Sequence, residues 1–231
     1  MAARKSTGRP RRAASAHLRI GILGSGLMGG KLGTIFARAG HAVVFSYART
    51  EAKLERLARA AGANARAGTP ADAARDADAV LLAVHWSRVD DVLAQAGDLA
   101  GRVILTCSLP MSADDTGLVV AHTSSGAEQL AAKVPAARVV SVFGTVPSEV
   151  LFDVFESRRR KPRPSMLYAG DDARARRVAV RLIHDTGFDP VDAGPLRMAR
   201  NLEPFTLLIA QLAYEGKQGP ELAYRFEWRG K

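Results

Sequence analysis

Three glycines stand at fixed spacing in Gly24-Ser25-Gly26-Leu27-Met28-Gly29, a G-x-G-x-x-G. That spacing suits the binding of a pyrophosphate. Gly24 would make a tight turn, Gly26 would let backbone approach the phosphates, and Gly29 would let a following helix pack closely on the preceding strand. The helix N-terminus would add free N–H groups and a partial positive charge. A glycine-rich turn with no ligand is the plain alternative. A second pattern lies downstream. Twenty residues past Gly26, where a carboxylate would hold a ribose 2′-hydroxyl, the chain has Ser46, and its first acidic residue is Glu51. Arg49 and Lys53 follow at i, i+4 spacing and can share one helix face. With the hydroxyls of Ser46 and Thr50 they suit a 2′-phosphate, so the expected nucleotide is NADP(H). Ordinary solvated charges at Arg49 and Lys53 are the competing reading.

Other residues able to do chemistry are few. His85 and Trp86 follow an apolar run, at a strand end where open α/β sheets bind ligands. His85 could touch the cofactor, act as an acid, or line the site; Trp86 could pack on the cofactor or cap the core. Cys107, the one cysteine, reads as a small buried apolar group and allows no intrachain disulfide. Arg200 and Glu203 have i, i+3 spacing and read as a surface ion pair, or Glu203 points at a second site. The five histidines are scattered, and neither a Ser-His-Asp arrangement nor a metal-ligand cluster can be assembled from spacing. A chain rich in nucleotide-binding signal and poor in acid–base signal suits chemistry that needs no protein nucleophile, where the site has only to hold its ligands and exclude water.

These residues need a scaffold, and hydrophobic periodicity supplies one. Short apolar runs at 20–23, 42–46, 79–84, 103–106 and 138–143 read as strands, with a short edge strand at 63–67. Helical patterns at 27–39, 50–61 and 88–96 alternate with them, and Thr69-Pro70 opens a further short helix as N-cap and first turn. Residues 109–122 read as a long loop. Ser125 and Glu128 have capping-box spacing ahead of a helix at 126–133. Residues 147–155 read as helical, 166–169 as a strand, 173–185 as a helix, 188–192 as extended, 197–214 as a long helix and 222–228 as a final strand. Repeated β-α units give an α/β, Rossmann-type, doubly wound and mainly parallel sheet. The expected division is a disordered basic tail at 1–17, a dinucleotide-binding domain at 18–145 and a small C-terminal α/β lobe at 146–231 that completes a second-substrate cleft.

The net charge of +10 invites a nucleic-acid reading. Its placement argues against specific binding. Arg4, Lys5, Arg9, Arg11 and Arg12 in the tail, with Arg158, Arg159, Arg160, Lys161 and Arg163 in one loop, account for the whole excess of 33 basic over 23 acidic residues. The bland reading is a solvated tail and loop, and the alternative is weak attraction to polyanions. No apolar run is long enough for a membrane span, and the tail has no apolar segment after its arginines, so it does not read as a secretory signal. The single cysteine fits a reducing cytoplasm; a small-molecule hydride acceptor or donor is the expected partner, and a homodimer is one option for the assembly.

Beyond these patterns, the chain resembles the NADPH-dependent deazaflavin-coenzyme (coenzyme F420) reductase family over roughly residues 18–228. The matching stretches are IGILGSGLMGGKLGTIFARAGHAVVFSYART, AVLLAVHW, VVSVFGTVPSEVL and DAGPLRMARNLEPFTLLIAQLAY. The last, with Asp192-Ala193-Gly194-Pro195-Leu196 and Glu203, is the most specific. The resemblance implies an NADP(H)-dependent oxidoreductase that passes hydride between nicotinamide and a second planar acceptor, with a deazaflavin as the named option. It places the nucleotide on Gly24, Ser25, Gly26, Leu27, Met28, Ser46, Tyr47, Arg49, Thr50, Lys53, Val84, His85 and Trp86, and the second substrate near Gly144, Thr145 and Pro147. Two positions depart from the family: His85 stands where it has Pro, and Gly144 where its members carry His or Asn. Reduction of another small molecule or of a ferric or flavin acceptor, and a non-enzymatic NADP-binding redox sensor, are the other readings.

Overall fold

A computed structural model describes residues 17–230; apart from His17, the expected disordered tail lies outside them. The apolar runs form β1 (Arg19–Leu23), β2 (Ala42–Ser46), β3 (Ala65–Ala67), β4 (Ala79–Leu82), β5 (Val103–Thr106), β6 (Arg138–Val142), β7 (Ser165–Gly170) and β8 (Asp189–Asp192). They build one sheet in the order β3-β2-β1-β4-β5-β6-β7-β8. Strands β1 to β6 are parallel; β7 runs antiparallel to β6, and β8 is parallel to β7. The strand order turns back between β1 and β4, which opens a crevice at the carboxyl ends of those strands.

The runs look uniformly apolar because both sheet faces are covered. Ile20 and Ile22 of β1, Leu81 of β4, Leu105 of β5 and Val140 of β6 share one core with Leu32 and Phe36 of α1 (Leu27–Arg38), Leu54 of α2 (Glu51–Ala61) and Leu182 of α7 (Ala173–Thr186). Their neighbours Leu23, Val80 and Ile104 face the opposite core with Ala73 of α3 (Pro70–Ala74), Val92 of α4 (Val89–Ala96) and Leu130 of α5 (Gly126–Lys133). Each strand therefore alternates between two buried faces. At the start of α3, Thr69 and Asp72 form a reciprocal capping box with Pro70 in the first turn.

The C-terminal third extends this sheet: residues past 145 supply α6 (Leu151–Glu156), then β7, α7 and β8, and finally α8 (Ala199–Ala210). The expected boundary at 145/146 thus falls between strands paired in one sheet. The long helical pattern divides into a 3-10 turn at Leu196–Met198, α8, and a wide π turn at Gln211–Glu215. The final strand expected at 222–228 does not form. Both edges of β7 are already taken, by β6 and β8. The segment makes two backbone N–H bonds at the start of β7 in place of a ladder: Ser165 N–H donates to the Tyr224 carbonyl (2.8 Å), and Phe226 N–H to Ser165 Oγ (3.0 Å). No helix among the described residues is long and apolar enough to cross a membrane.

Candidate nucleotide and second-substrate site

The first half of the glycine motif is fixed by close contact. Gly24 sits at φ 107°, the left-handed region that favours glycine, and a side-chain carbon there would lie 2.4 Å from the Ala83 carbonyl oxygen. The turn is tied to the end of β2: Gly24 N–H and Ser25 Oγ donate to the Ser46 carbonyl, and Ser25 N–H donates to the Tyr47 carbonyl. Gly26 differs, because a side-chain carbon there would meet nothing within 4 Å. It is the N-cap of α1, which begins with no side-chain cap and no acid in its first turn. The first amides of α1 are therefore left for an external acceptor.

A cleft of about 1140 Å³ opens above this turn. Of the residues expected to hold the nucleotide, Gly24, Ser25, Gly26, Leu27, Tyr47, Arg49, Lys53, Val84 and His85 line it; Met28, Ser46, Thr50 and Trp86 do not. Ser46 is fully buried and its hydroxyl donates to the Ile22 carbonyl at 2.7 Å, so its side chain locks β2 to β1. Met28 packs on the α1 core, and Trp86 packs with the core beneath α4. Thr50 is the exposed N-cap residue of α2.

Spacing in sequence missed Arg88, which lines the cleft with Arg49 and Lys53. None of these three cations forms an ion pair among the described residues, although Glu51 and Asp72 also line the cleft. Tyr47, which also lines the cleft, has left-handed backbone (φ 56°) and its hydroxyl donates to Asp91 of α4. Gln95 Nε2 also donates to Asp91 (3.1 Å). Burial, then the carboxylate, pushes the Tyr47 phenol up, while the phenol and Gln95 hold Asp91 below its ordinary value. His85 Nδ1 accepts the Ser87 N–H (3.2 Å), which leaves Nε2 to donate to Asp115 (3.1 Å) in the long loop. A hollow of about 340 Å³ at the amino ends of β1 and β2 contains none of the expected site residues.

The second-substrate residues lie at the ends of β5 and β6. Thr145 is buried; its Oγ1 accepts the Tyr224 hydroxyl at 2.7 Å. Pro147 is buried and opens the 3-10 turn Ser148–Val150, which Lys31 of α1 holds through the Ser148 carbonyl (3.0 Å) and hydroxyl (3.2 Å). Cys107 Sγ donates to the Leu82 carbonyl, and burial pushes its thiol up to about 12. The expected Arg200–Glu203 surface pair does not form. Arg200 instead donates to Glu128 of α5 through Nε (2.8 Å) and Nη2 (2.7 Å). Glu203, 4% exposed, turns inward and accepts the N–H groups of Gly126 (2.9 Å) and Ala127 (3.0 Å). Helix α8 is wedged between solvent and α5, so residues three apart face different surroundings. Among the described residues, no group of three His, Cys, Asp or Glu could hold a metal ion.

With that geometry in view, residues 19–110 match the family model described as NADP oxidoreductase, coenzyme F420-dependent. That stretch is similar to the family's nucleotide-binding part. The matched stretch contains the glycine turn, Arg49, Lys53, Arg88 and His85. Over 194 residues the chain is 26% identical to the metalloreductase STEAP3 of Rattus norvegicus, covering 83% of this chain and 37% of that protein. It thus spans little more than a third of that relative's length. Among solved structures, it resembles one described as an F420-dependent NADP-reductase from Arthrobacter sp. FB24 (TM-score 0.80, 21% identity, 91% of this chain and 100% of that one). It also resembles a reductive aminase from Aspergillus terreus in complex with NADPH (TM-score 0.61, 19% identity, 85% and 61% covered). At such identities these likenesses establish the fold: an α/β Rossmann-type sheet.

Proposed function

We propose that the chain binds NADP(H) in the 1140 Å³ cleft and transfers hydride between its nicotinamide and a second planar acceptor, a deazaflavin being one such acceptor. The observation that carries this reading is the convergence of Arg49, Lys53 and Arg88 on one cleft with no ion pair. Unpaired cations around a cleft suit an anion, and their place at the end of β2, where Ser46 stands instead of a carboxylate, suits a 2′-phosphate. The uncapped start of α1 and the open side of Gly26 suit the pyrophosphate. When bound, NADPH would supply a hydride. The chain's own part is to orient the nucleotide, through the Tyr47–Ser25 junction and the cations, and to exclude water at the ends of β5 and β6. The family match and the fold shared with NADPH-bound proteins support the same reading.

Residues 146–231 would then form the far wall of the second-substrate cleft, with Thr145 and Pro147 shaping the loop that faces the ring. With Gly144 in place of a bulky polar residue, that wall is bare backbone, which suits close approach of a flat ring. Titrating NADPH and NADH and then screening NADPH oxidation against a deazaflavin, a flavin, a quinone, a cyclic imine and a ferric chelate tests the reading. Preference for NADPH with turnover of a planar acceptor is expected. Equal affinity for both nucleotides would sink the NADP assignment, and turnover of the imine alone would replace the planar acceptor.

A further inference from the structure

Glu203 is not among the residues lining the nucleotide cleft; it lines a void of about 10 Å³ at the carboxyl ends of β5 and β6. Ser108, Gly144, Thr145 and Thr206 line the same void, which is about the space of one water. A side-chain carbon at Gly144 would meet nothing nearer than 3.8 Å, at the Cys107 carbonyl and Thr206 Oγ1. Gly144 and Thr145, of the loop assigned to the second substrate, line the void directly.

The carboxylate can exist in either protonation state at this place. Each oxygen spends one lone pair on an α5 amide, Oε2 on Gly126 and Oε1 on Ala127, which leaves one on each for a proton. Burial favours the neutral acid; the two N–H donors and the positive end of α5 favour the anion. Burial dominates and pushes Glu203 up to about 7, with the Glu128 carboxylate adding to the rise. Of the charged groups on the packed helices, Glu128 is bound by Arg200, and the Arg200 guanidinium is spent on it. The Cys107 thiol stays neutral and does not compete for the proton.

Building on the oxidoreductase reading, we propose that Glu203 holds the proton that accompanies the hydride. The second substrate then belongs to the acceptors that gain a hydride at one atom and a proton at a heteroatom, as deazaflavins and flavins do, and not to one-electron ferric acceptors. In the reducing direction the hydride leaves the nicotinamide ring and forms a new bond on the acceptor. The displaced electron pair moves to an acceptor heteroatom, which takes the proton. The Glu203 O–H bond breaks and its proton passes to one water in the void, which gives a proton of its own to the heteroatom; the electron pair stays on the carboxylate, and solvent later restores the proton. Glu203 touches no substrate in this scheme; it holds a proton behind the site.

The test uses the full chain with NADPH and 5-deazariboflavin or riboflavin as probes. For the parent, kcat should fall as pH rises through about 7 and show a solvent isotope effect. Glu203→Gln should remove that limb and lower kcat on its acid side by about 10²- to 10⁴-fold, with the NADPH Kd unchanged. Apart from turnover, carbon-13 NMR of glutamate carboxyls in the protein without nucleotide should show one group titrating near 7, absent from Glu203→Gln. A Glu203→Gln protein with parental kcat and a parental limb overturns the inference. So does a Glu203 carboxyl that titrates in the ordinary range, and that measurement decides alone if the variant does not fold. A parent that turns over no acceptor removes the oxidoreductase reading, and this inference with it, before any variant is made.

Discussion

A side-chain carbon at Gly29 would lie 1.9 Å from the carbonyl oxygen of Gly24. The first turn of α1 therefore rests directly on the backbone of the glycine turn. Gly26, between them in sequence, has open space on its side-chain face. One motif thus contains a packing glycine and a ligand-facing glycine, and substitution separates them. Gly29→Ala should lower stability by at least about 1–3 kcal/mol, because backbone must move. Gly26→Val should keep the parental melting temperature and lose NADPH binding. A Gly26→Val protein that binds NADPH with parental affinity would put the pyrophosphate elsewhere.

Arg49 and NADPH provide the sharper test of nucleotide choice. A charge-assisted contact to phosphate contributes about 1.5–3 kcal/mol, so Arg49→Ala should weaken NADPH about 10- to 150-fold. NADH affinity should barely change. Calorimetric titration of both nucleotides into parent and variant measures the difference, and an equal loss for both would make Arg49 a general cleft residue.

His85 stands at the cleft with Nε2 on Asp115. Direct hydride transfer asks little of it. His85→Ala should change kcat by less than about 10-fold, with NADPH still bound. A loss of several orders of magnitude would make His85 an acid–base group and favour reduction of a carbonyl or imine.

Glu203 also makes folding stability depend on pH. Its folded-state value is raised from 4.5 to about 7, so the folded chain holds the proton more tightly than the unfolded chain. The contribution is fully present below 4.5 and is lost as pH rises through about 7. The slope from this group cannot exceed about 1.4 kcal/mol per pH unit. Urea unfolding at several pH values should show the decline in the parent and a flatter profile in Glu203→Gln. Identical profiles would mean that the carboxylate titrates alike in both states.

The sequence reading and the structure agree where local rules decide. The run ahead of Gly24, the helix after Gly26 and the Thr69-Pro70 start are set by neighbours a few residues apart. They disagree where tertiary contact decides. Ser46 carries the right hydroxyl at the right distance from Gly26, but its side chain turns into the sheet toward Ile22. Arg200 and Glu203 have ion-pair spacing, yet each finds a better partner on α5, at Glu128 and at the first amides. The 222–228 alternation has the strand period, but β7 has no edge left to pair with it. Arg88 gives no local signal; only the fold of β4 into α4 brings it to the cleft.

The solitary thiol of Cys107, bonded to the Leu82 carbonyl at the carboxyl end of β5, gives the molecule a built-in reporter. With its pKa near 12, almost none of it is thiolate at neutral pH. Alkylating reagents should therefore label the native chain slowly and at one position. The labelling rate then measures how often the strand ends part, and any molecule that seats against Gly144 should slow it without a second cysteine having to be engineered in.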